Sequence, residues 1–510
     1  MVQPLKGGAP EPRKVVVVGG GTAGWMAAAA LVKFLGPVVE VTLVESDAIG
    51  IVGVGEATIP QIRHLNRALD IDERDFVANT NGSFKLGIEF INWRRLGHSY
   101  LHNFGEIGLA VNQTHFHHHL FRAKAQGLSG DLWDYCVNTQ AARAGKFAPL
   151  ERLASSPLSG VAYAYHFDAA LYGKFLRAYA ESHGATRIEG KIIEVVQDPE
   201  TGDVERVRLE NGREVAGEIF IDCSGFRALL IEQALQTGYE DWSGWLRCDS
   251  ALAVPSKNVR PPRPFTQSIA HDAGWQWRIP LQHRTGNGHV FSSRYVDVDD
   301  ARDTLLANLE GEPLAEPRLI KFTTGRRKKF WNRNVVALGL ASGFLEPLES
   351  TSIHLVQSGI SRFIQFFPAR PIAAPERDEY NRQMTLEFER IRDFLILHYH
   401  ANERDDSRFW IDVREMEIPD TLAHKMAMFR ASGRIYREQE DLFTDSSWLQ
   451  VMYGQGIEPR AWHPMADKLN ETELHDMLEN IRRIVAGAAA KLPSHADFIA
   501  QCCAAPDAAQ

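Results

Sequence analysis

No apolar run in this 510-residue chain approaches the ~20 residues that a membrane-spanning helix requires, so no membrane partner is expected. Cysteine is scarce. Cys136, Cys223, Cys248, Cys502 and Cys503 include no C-x-x-C pair, which leaves a zinc ribbon and a thioredoxin-like redox pair without support. An odd, scattered set fits a reducing cytoplasm. Residues 1–12 lack the apolar stretch of a signal peptide and read as a flexible arm. A basic surplus is also missing. The net charge is −9, and the one dense basic run, Arg326-Arg327-Lys328-Lys329, reads as a solvated turn, so nucleic acid is not an expected partner. No G-x-S-x-G elbow supports hydrolase chemistry. The segment His115-Phe116-His117-His118-His119 has neighbouring histidines on an expected helix and no completing acid or cysteine pattern, so no metal site is expected.

What is present begins at Lys14. Lys14-Val15-Val16-Val17-Val18 is the β-branched run of a strand buried on both faces. It enters Gly19-Gly20-Gly21-Thr22-Ala23-Gly24, a G-x-G-x-x-G turn, and Trp25 to Leu35 reads as an alanine-rich helix. A second strand, Val38 to Val44, closes on Glu45, about twenty residues past the last glycine, where a ribose-binding acid belongs. Glycines let the backbone approach a pyrophosphate, and the helix N-terminus supplies positive potential. Dinucleotide binding follows, with Gly19, Gly21, Thr22, Ala23, Gly24 and Glu45 as its residues. The segment Ile51 to Pro60 reads as a glycine-punctuated loop in place of a continuing crossover. Ile192 to Gln197 and Val204 to Leu209 form a hairpin, and Glu218 to Gly225 and Asn334 to Gly339 are later strands of the nucleotide unit. A second G-x-G-x-x-G is absent, so reducing equivalents must arrive from elsewhere.

The run Gly274-Trp275-Gln276-Trp277-Arg278-Ile279-Pro280 puts two indoles on one face of an expected strand, as a flat wall, with Pro280 ending the pairing. Lys85 lies in mostly apolar or small surroundings, Phe84-Lys85-Leu86-Gly87-Ile88, and a buried lysine has a depressed pKa. Glu346-Pro347-Leu348-Glu349-Ser350-Thr351-Ser352 precedes an apolar helical stretch, Ile353 to Phe367, whose first N–H groups suit an anion.

These blocks, with Gly55-Glu56-Ala57-Thr58-Ile59-Pro60 and Phe90-Ile91-Asn92-Trp93, resemble the flavin-dependent tryptophan halogenases from about residue 13 to the 460s. The resemblance implies an α/β, FAD-binding fold of the glutathione-reductase and monooxygenase type over 13–370, with a mostly helical substrate-capping region over 371–510. It implies FADH2 from a separate flavin reductase, uptake of oxygen to give a flavin hydroperoxide, attack by chloride or bromide, and hypohalous acid passing to a lysine beside the aromatic substrate. Carried onto this chain, Lys85 and Glu349 are catalytic. Gly55, Glu56, Ala57, Thr58, Val195, Leu340 and Ile353 join the flavin site. Thr351 and Ser352, after Ser350, hold the halide on their backbone. His102 and Phe104 line the indole, and Trp275 and Trp277 keep organic substrate from the flavin. A homodimer is compatible with the family.

The match departs in the substrate region. Family members that bind free tryptophan usually offer a tyrosine pair there, whereas this chain has Trp448-Leu449. Trp448 keeps one N–H donor. Free tryptophan is therefore a doubtful substrate, and indole, a substituted indole or an indole within a larger molecule is expected. A flavin-dependent aromatic hydroxylase of the same fold and a catalytically silent flavoprotein are the alternatives.

Overall fold

A six-stranded sheet carries the strand order Thr186–Glu189, Val39–Glu45, Arg13–Val18, Ile219–Asp222, Val335–Ala337, Trp331–Asn332. The computed structural model describes residues 11–49, 55–128, 130–153 and 156–506. All neighbours pair in parallel except the last strand. The first strand lies inside the sheet, as its composition requires: Val15 and Val17 pack into one hydrophobic cluster and Val16 and Val18 into another. The helix Thr22–Leu35 is buried from Gly24 to Leu31 and packs on the helices Ala169–Ser182 and Ser352–Gln365. This is the expected fold class.

A second, seven-stranded sheet runs Arg318–Lys321, Ser250–Ser256, Thr285–Phe291, Gly274–Pro280, Thr266–His271, Gly87–Ile91, Ser99–Asn103. The W-x-W strand is interior to it. Trp277 lies opposite Gly288, where any side chain would collide with the indole. Pro280 is the last residue of the strand, paired with Thr285. A small sheet links the two large ones: Ala164–Asp168 pairs antiparallel with Gly55–Ala57 on one side and Ser83–Lys85 on the other. Gly55–Ala57 is thus a strand and not loop, because Ala164–Asp168 supplies it with a partner. Residues 51–54 of that expected loop, and 1–10 of the expected arm, lie outside the described residues.

The C-terminal region is helical, as expected, with Ala374–His400, Arg408–Glu415, Asp420–Ser432, Asp445–Gly454, Glu471–Lys491 and His495–Cys502. The basic run departs from expectation. Arg326 and Arg327 are buried, on the strand Gly325–Arg327, because Glu240 and Glu389 pair with Arg326 and Glu232 pairs with Arg327.

Candidate active site

Lys85 ends the strand Ser83–Lys85 and is 0% exposed. Its Nζ donates to the Thr58 carbonyl at 3.0 Å and to Ser350 Oγ at 2.8 Å. The Phe104 ring centroid is 5.2 Å away, a cation–π distance. Burial lowers the Lys85 pKa to about 7, against the pull of the Glu349 charge, which raises it. His166, behind this strand, takes Ser83 Oγ at 3.0 Å and Thr266 Oγ1 at 2.9 Å, and burial and Lys85 both lower its pKa. Phe84, beside Lys85, donates its backbone N–H to His495 Nε2 at 3.1 Å, so the C-terminal helix braces the lysine strand.

Glu349 is also 0% exposed. His102 Nδ1 lies 3.0 Å and 2.9 Å from its two carboxylate oxygens, and His398 Nε2 lies 2.7 Å from Oε1. Burial pushes the carboxyl up, but the two imidazoles outweigh it and hold the pKa at about 2. An ionised carboxylate only accepts, so His102 carries a proton on Nδ1. His398 Nδ1 is hydrogen-bonded to Tyr100 OH at 3.1 Å. His398 is itself lowered by burial.

Glu346, three residues earlier, has the opposite character. Its Oε2 accepts from Trp275 Nε1 at 3.0 Å and from Tyr399 OH at 2.5 Å. Burial raises its pKa to about 7. One turn therefore carries a carboxylate whose pKa is lowered and one whose pKa is raised, a split set by environment.

Ser350 adopts a left-handed conformation, φ 59°, at the turn into the helix Ser352–Gln365. Thr351 is buried, caps nothing with its side chain, and leaves its Oγ1 without a partner. The first N–H groups of an α-helix have no partner within it, so the Thr351–Ser352 backbone has the donors an anion needs. Ile353, next in the helix, is buried.

The fingerprint turn fits a dinucleotide. Gly19, at φ +108°, passes so close to Cys223 that a Cβ would strike its carbonyl. A Cβ on Gly24 would strike the Gly19 carbonyl, and one on Gly20 the Glu45 carboxylate. Gly21 differs: no described atom lies within 4 Å of where its Cβ would be. It precedes the helix Thr22–Leu35, whose N-terminus receives no side-chain cap. Open space, a bare amide end and flanking glycines are what a pyrophosphate requires. Glu45 closes the second strand and pairs with Arg187 through Oε1. Gly339 brings the turn containing Leu340 against Ala23. Glu56 is half-buried, with its carboxyl raised to about 7 by desolvation. Thr58 is tied instead to the lysine, through its carbonyl, and to Tyr165 through its hydroxyl at 2.8 Å. Val195 packs against the cluster on one face of the nucleotide sheet.

Trp275 and Trp277 are both buried, with ring centroids 6.2 Å apart and planes inclined by 60°. The expected flat wall is a bent one, since Trp275 is turned to Glu346 and packs beside Trp93. On the substrate side His102 lies 5.7 Å from Phe394 and 6.3 Å from Phe443, measured between centroids. Trp448 is 0% exposed, edge-on to Phe394 at 4.8 Å, and its Nε1 has no partner among the described residues. Lys425 Nζ lies 4.8 Å from the Trp448 ring and is held by Asp441 at 2.9 Å. His117 and His118 of the His-rich helix instead meet the Gly433 carbonyl and the His463 backbone N–H.

The lysine, the acid and the His-x-Phe segment expected from the sequence thus converge. His398, Tyr399 and Phe394 were not anticipated. All three come from one apolar run, Phe394 to His400, whose histidines resemble core filler. The signal was a second buried histidine at the end of a long helix, and only its tertiary neighbour reveals it.

The nucleotide sheet, its fingerprint and the buried lysine–glutamate pair define an FAD-binding oxidoreductase. The chain belongs to the tryptophan halogenase family, whose model matches residues 14–471. It is 34% identical over 441 residues to tryptophan 6-halogenase SttH of Streptomyces toxytricini, covering 82% of this chain and 84% of that one. Its structure is similar to that of Xcc4156, a flavin-dependent halogenase from Xanthomonas campestris, with 52% identity, a TM-score of 0.94 and coverage of 97% and 99% of the two chains. It is likewise similar to BrvH, a flavin-dependent halogenase from Brevundimonas sp. BAL3, with 45% identity, a TM-score of 0.93 and coverage of 97% and 100%. The protein is accordingly a flavin-dependent halogenase that uses FADH2, oxygen and halide. Such enzymes generally take FADH2 from a separate reductase and act on small aromatic molecules. No described helix is long and apolar enough to cross a membrane.

Proposed function

We propose that this halogenase acts on an indole-like aromatic other than free tryptophan, with Lys85 presenting the halogen and Glu349 supporting the substitution. The observation that carries the reading is the bond from the buried Lys85 Nζ to Ser350 Oγ, next in sequence to Glu349. Reduced FAD, held along Gly19 to Gly24 and Glu45, supplies with oxygen the oxidising equivalent that converts halide to hypohalous acid.

Lys85, poised between amine and ammonium, either accepts the halogen on nitrogen or polarises hypohalous acid by hydrogen bonding. The Glu349 carboxylate stabilises the ring cation that halogen addition creates. The N–H groups of Thr351 and Ser352 favour a halide. The bent Trp275–Trp277 wall would keep organic substrate from the flavin and let only small species through. Trp448 offers one donor, too few for a free amino acid's carboxylate and ammonium. Free, scattered cysteines support a reducing cytoplasm as the enzyme's setting.

A flavin reductase, NADH, FAD, oxygen and bromide or chloride, with indole or free tryptophan, test the reading by product mass. The expected result is halogenated indole in excess over halogenated tryptophan. Preference for tryptophan would overturn the substrate reading, and a hydroxylated product independent of halide would overturn the role of the indole wall.

A further inference from the structure

We propose that His102 is the general base of the halogenation, taking the proton from the substituted ring carbon on its Nε2 while Glu349 holds it in place. The inference rests on the function proposed above and deepens it.

Three observations carry it. His102 is only 2% exposed, and its Nε2 has no hydrogen-bond partner among the described residues. Leaving a buried polar atom unpaired is costly, so an unmet atom in an active site calls for a ligand or a reaction. The other nitrogen, Nδ1, faces both Glu349 oxygens at 3.0 Å and 2.9 Å. That contact assigns the Nδ1 proton and leaves a lone pair on Nε2. It is the arrangement in which a buried carboxylate fixes the tautomer of a basic imidazole and stabilises the cation it becomes. The third observation is the saturation of Glu349. Both of its oxygens face His102 Nδ1, and His398 Nε2 lies 2.7 Å from Oε1 as well. A carboxylate so engaged has less lone-pair capacity to offer a ring proton than an imidazole nitrogen that has no partner.

The step balances. Halogen adds to the ring carbon from hypohalous acid, and the oxygen leaves as hydroxide, which takes a proton from the Lys85 ammonium to become water. The C–H bond at the substituted carbon then breaks. Its electron pair restores the aromatic ring, and its proton passes to His102 Nε2. The resulting imidazolium pairs with Glu349 until it loses the proton to water or back to Lys85.

The measurement is an isotope effect. The aromatic that the wild type halogenates best is prepared with deuterium at the reacting carbon, and product formation from the two isotopologues is compared in wild type, His102→Phe, His102→Gln and Glu349→Gln, each checked for FAD binding. Losing the base is expected to lower turnover by about 10²-fold or more and to make C–H cleavage limiting. The isotope effect should therefore be larger in both His102 variants than in wild type, and raised to a lesser degree in Glu349→Gln, which leaves the imidazole in place without the carboxylate that fixes its tautomer. An isotope effect unchanged in both His102 variants, whether or not Glu349→Gln raises it, would overturn the proposal in favour of direct proton transfer to the carboxylate. Lys85→Ala, run alongside, tests the parent reading separately: product from it would refute the role of the lysine without affecting the isotope comparison.

Discussion

Lys85 Nζ and Ser350 Oγ are 2.8 Å apart although 265 positions separate them in sequence. The contact joins the small sheet that carries the lysine to the left-handed turn that follows Glu349 and opens the helix Ser352–Gln365. Lysine, acid and anion donors are thereby set by one junction, and predictions about each can be separated.

The pH dependence of stability follows from the lysine. Its pKa is lowered from 10.5 to about 7 on folding. The unfolded chain therefore binds more protons between these values, so stability contributed by this group rises with pH across about 7 to 10.5 and is flat below 7. The slope is bounded by about 1.4 kcal/mol per pH unit. Urea unfolding of wild type and Lys85→Met across this range should give curves that differ by that slope. Parallel curves would place the lysine in solvent.

Glu349→Gln has a signed effect on the same group. The carboxylate raises the Lys85 pKa against desolvation, so removing its charge lowers that pKa further. The Lys85 inflection in the pH profile of kcat should move to lower pH. Turnover itself should fall by about 10²–10³-fold, the scale of one lost electrostatic contact to a transition state. A shift to higher pH would contradict the assignment.

Gly21→Ala separates cofactor binding from folding. The φ of Gly21 is −72°, which alanine accepts, and its Cβ would enter open space. The variant should keep the wild-type Tm and lose FAD affinity by about tenfold or more, a loss of about 1.4 kcal/mol. Flavin fluorescence titration and thermal unfolding read the two quantities. Gly24→Ala should lose both, because its Cβ would strike the Gly19 carbonyl.

The substrate side makes its own prediction. With Trp448-Leu449 in place of two phenols, free tryptophan should bind roughly tenfold or more weakly than indole in calorimetry. Equal or tighter tryptophan binding would show that other groups, such as Lys425, take its carboxylate.

Much of this was legible in the sequence because its signals are local. Val15 to Val18 alternate between two cores, Gly19 to Gly24 carry steric demands within a single turn, and the W-x-W strand obeys a period of two. Lys85, Glu349, His102 and Phe104 were reachable through the family's motifs. What was not legible depends on tertiary partners. The strand Gly55–Ala57 exists only because Ala164–Asp168 pairs with it. Arg326 and Arg327 are buried only because acids from three other segments meet them. His398 reads as core until it meets Glu349, and the tilt of Trp275 follows from Glu346, a neighbour 71 positions away.

The account stands most directly on Lys85→Ala, tested with FADH2, oxygen, halide and indole in the presence of a dissolved reagent that traps hypohalous acid. The prediction is no halogenated indole, undiminished FAD binding and halogenated trap, because halide is still oxidised but no longer directed. Halogenated indole at the wild-type rate from Lys85→Ala would contradict it.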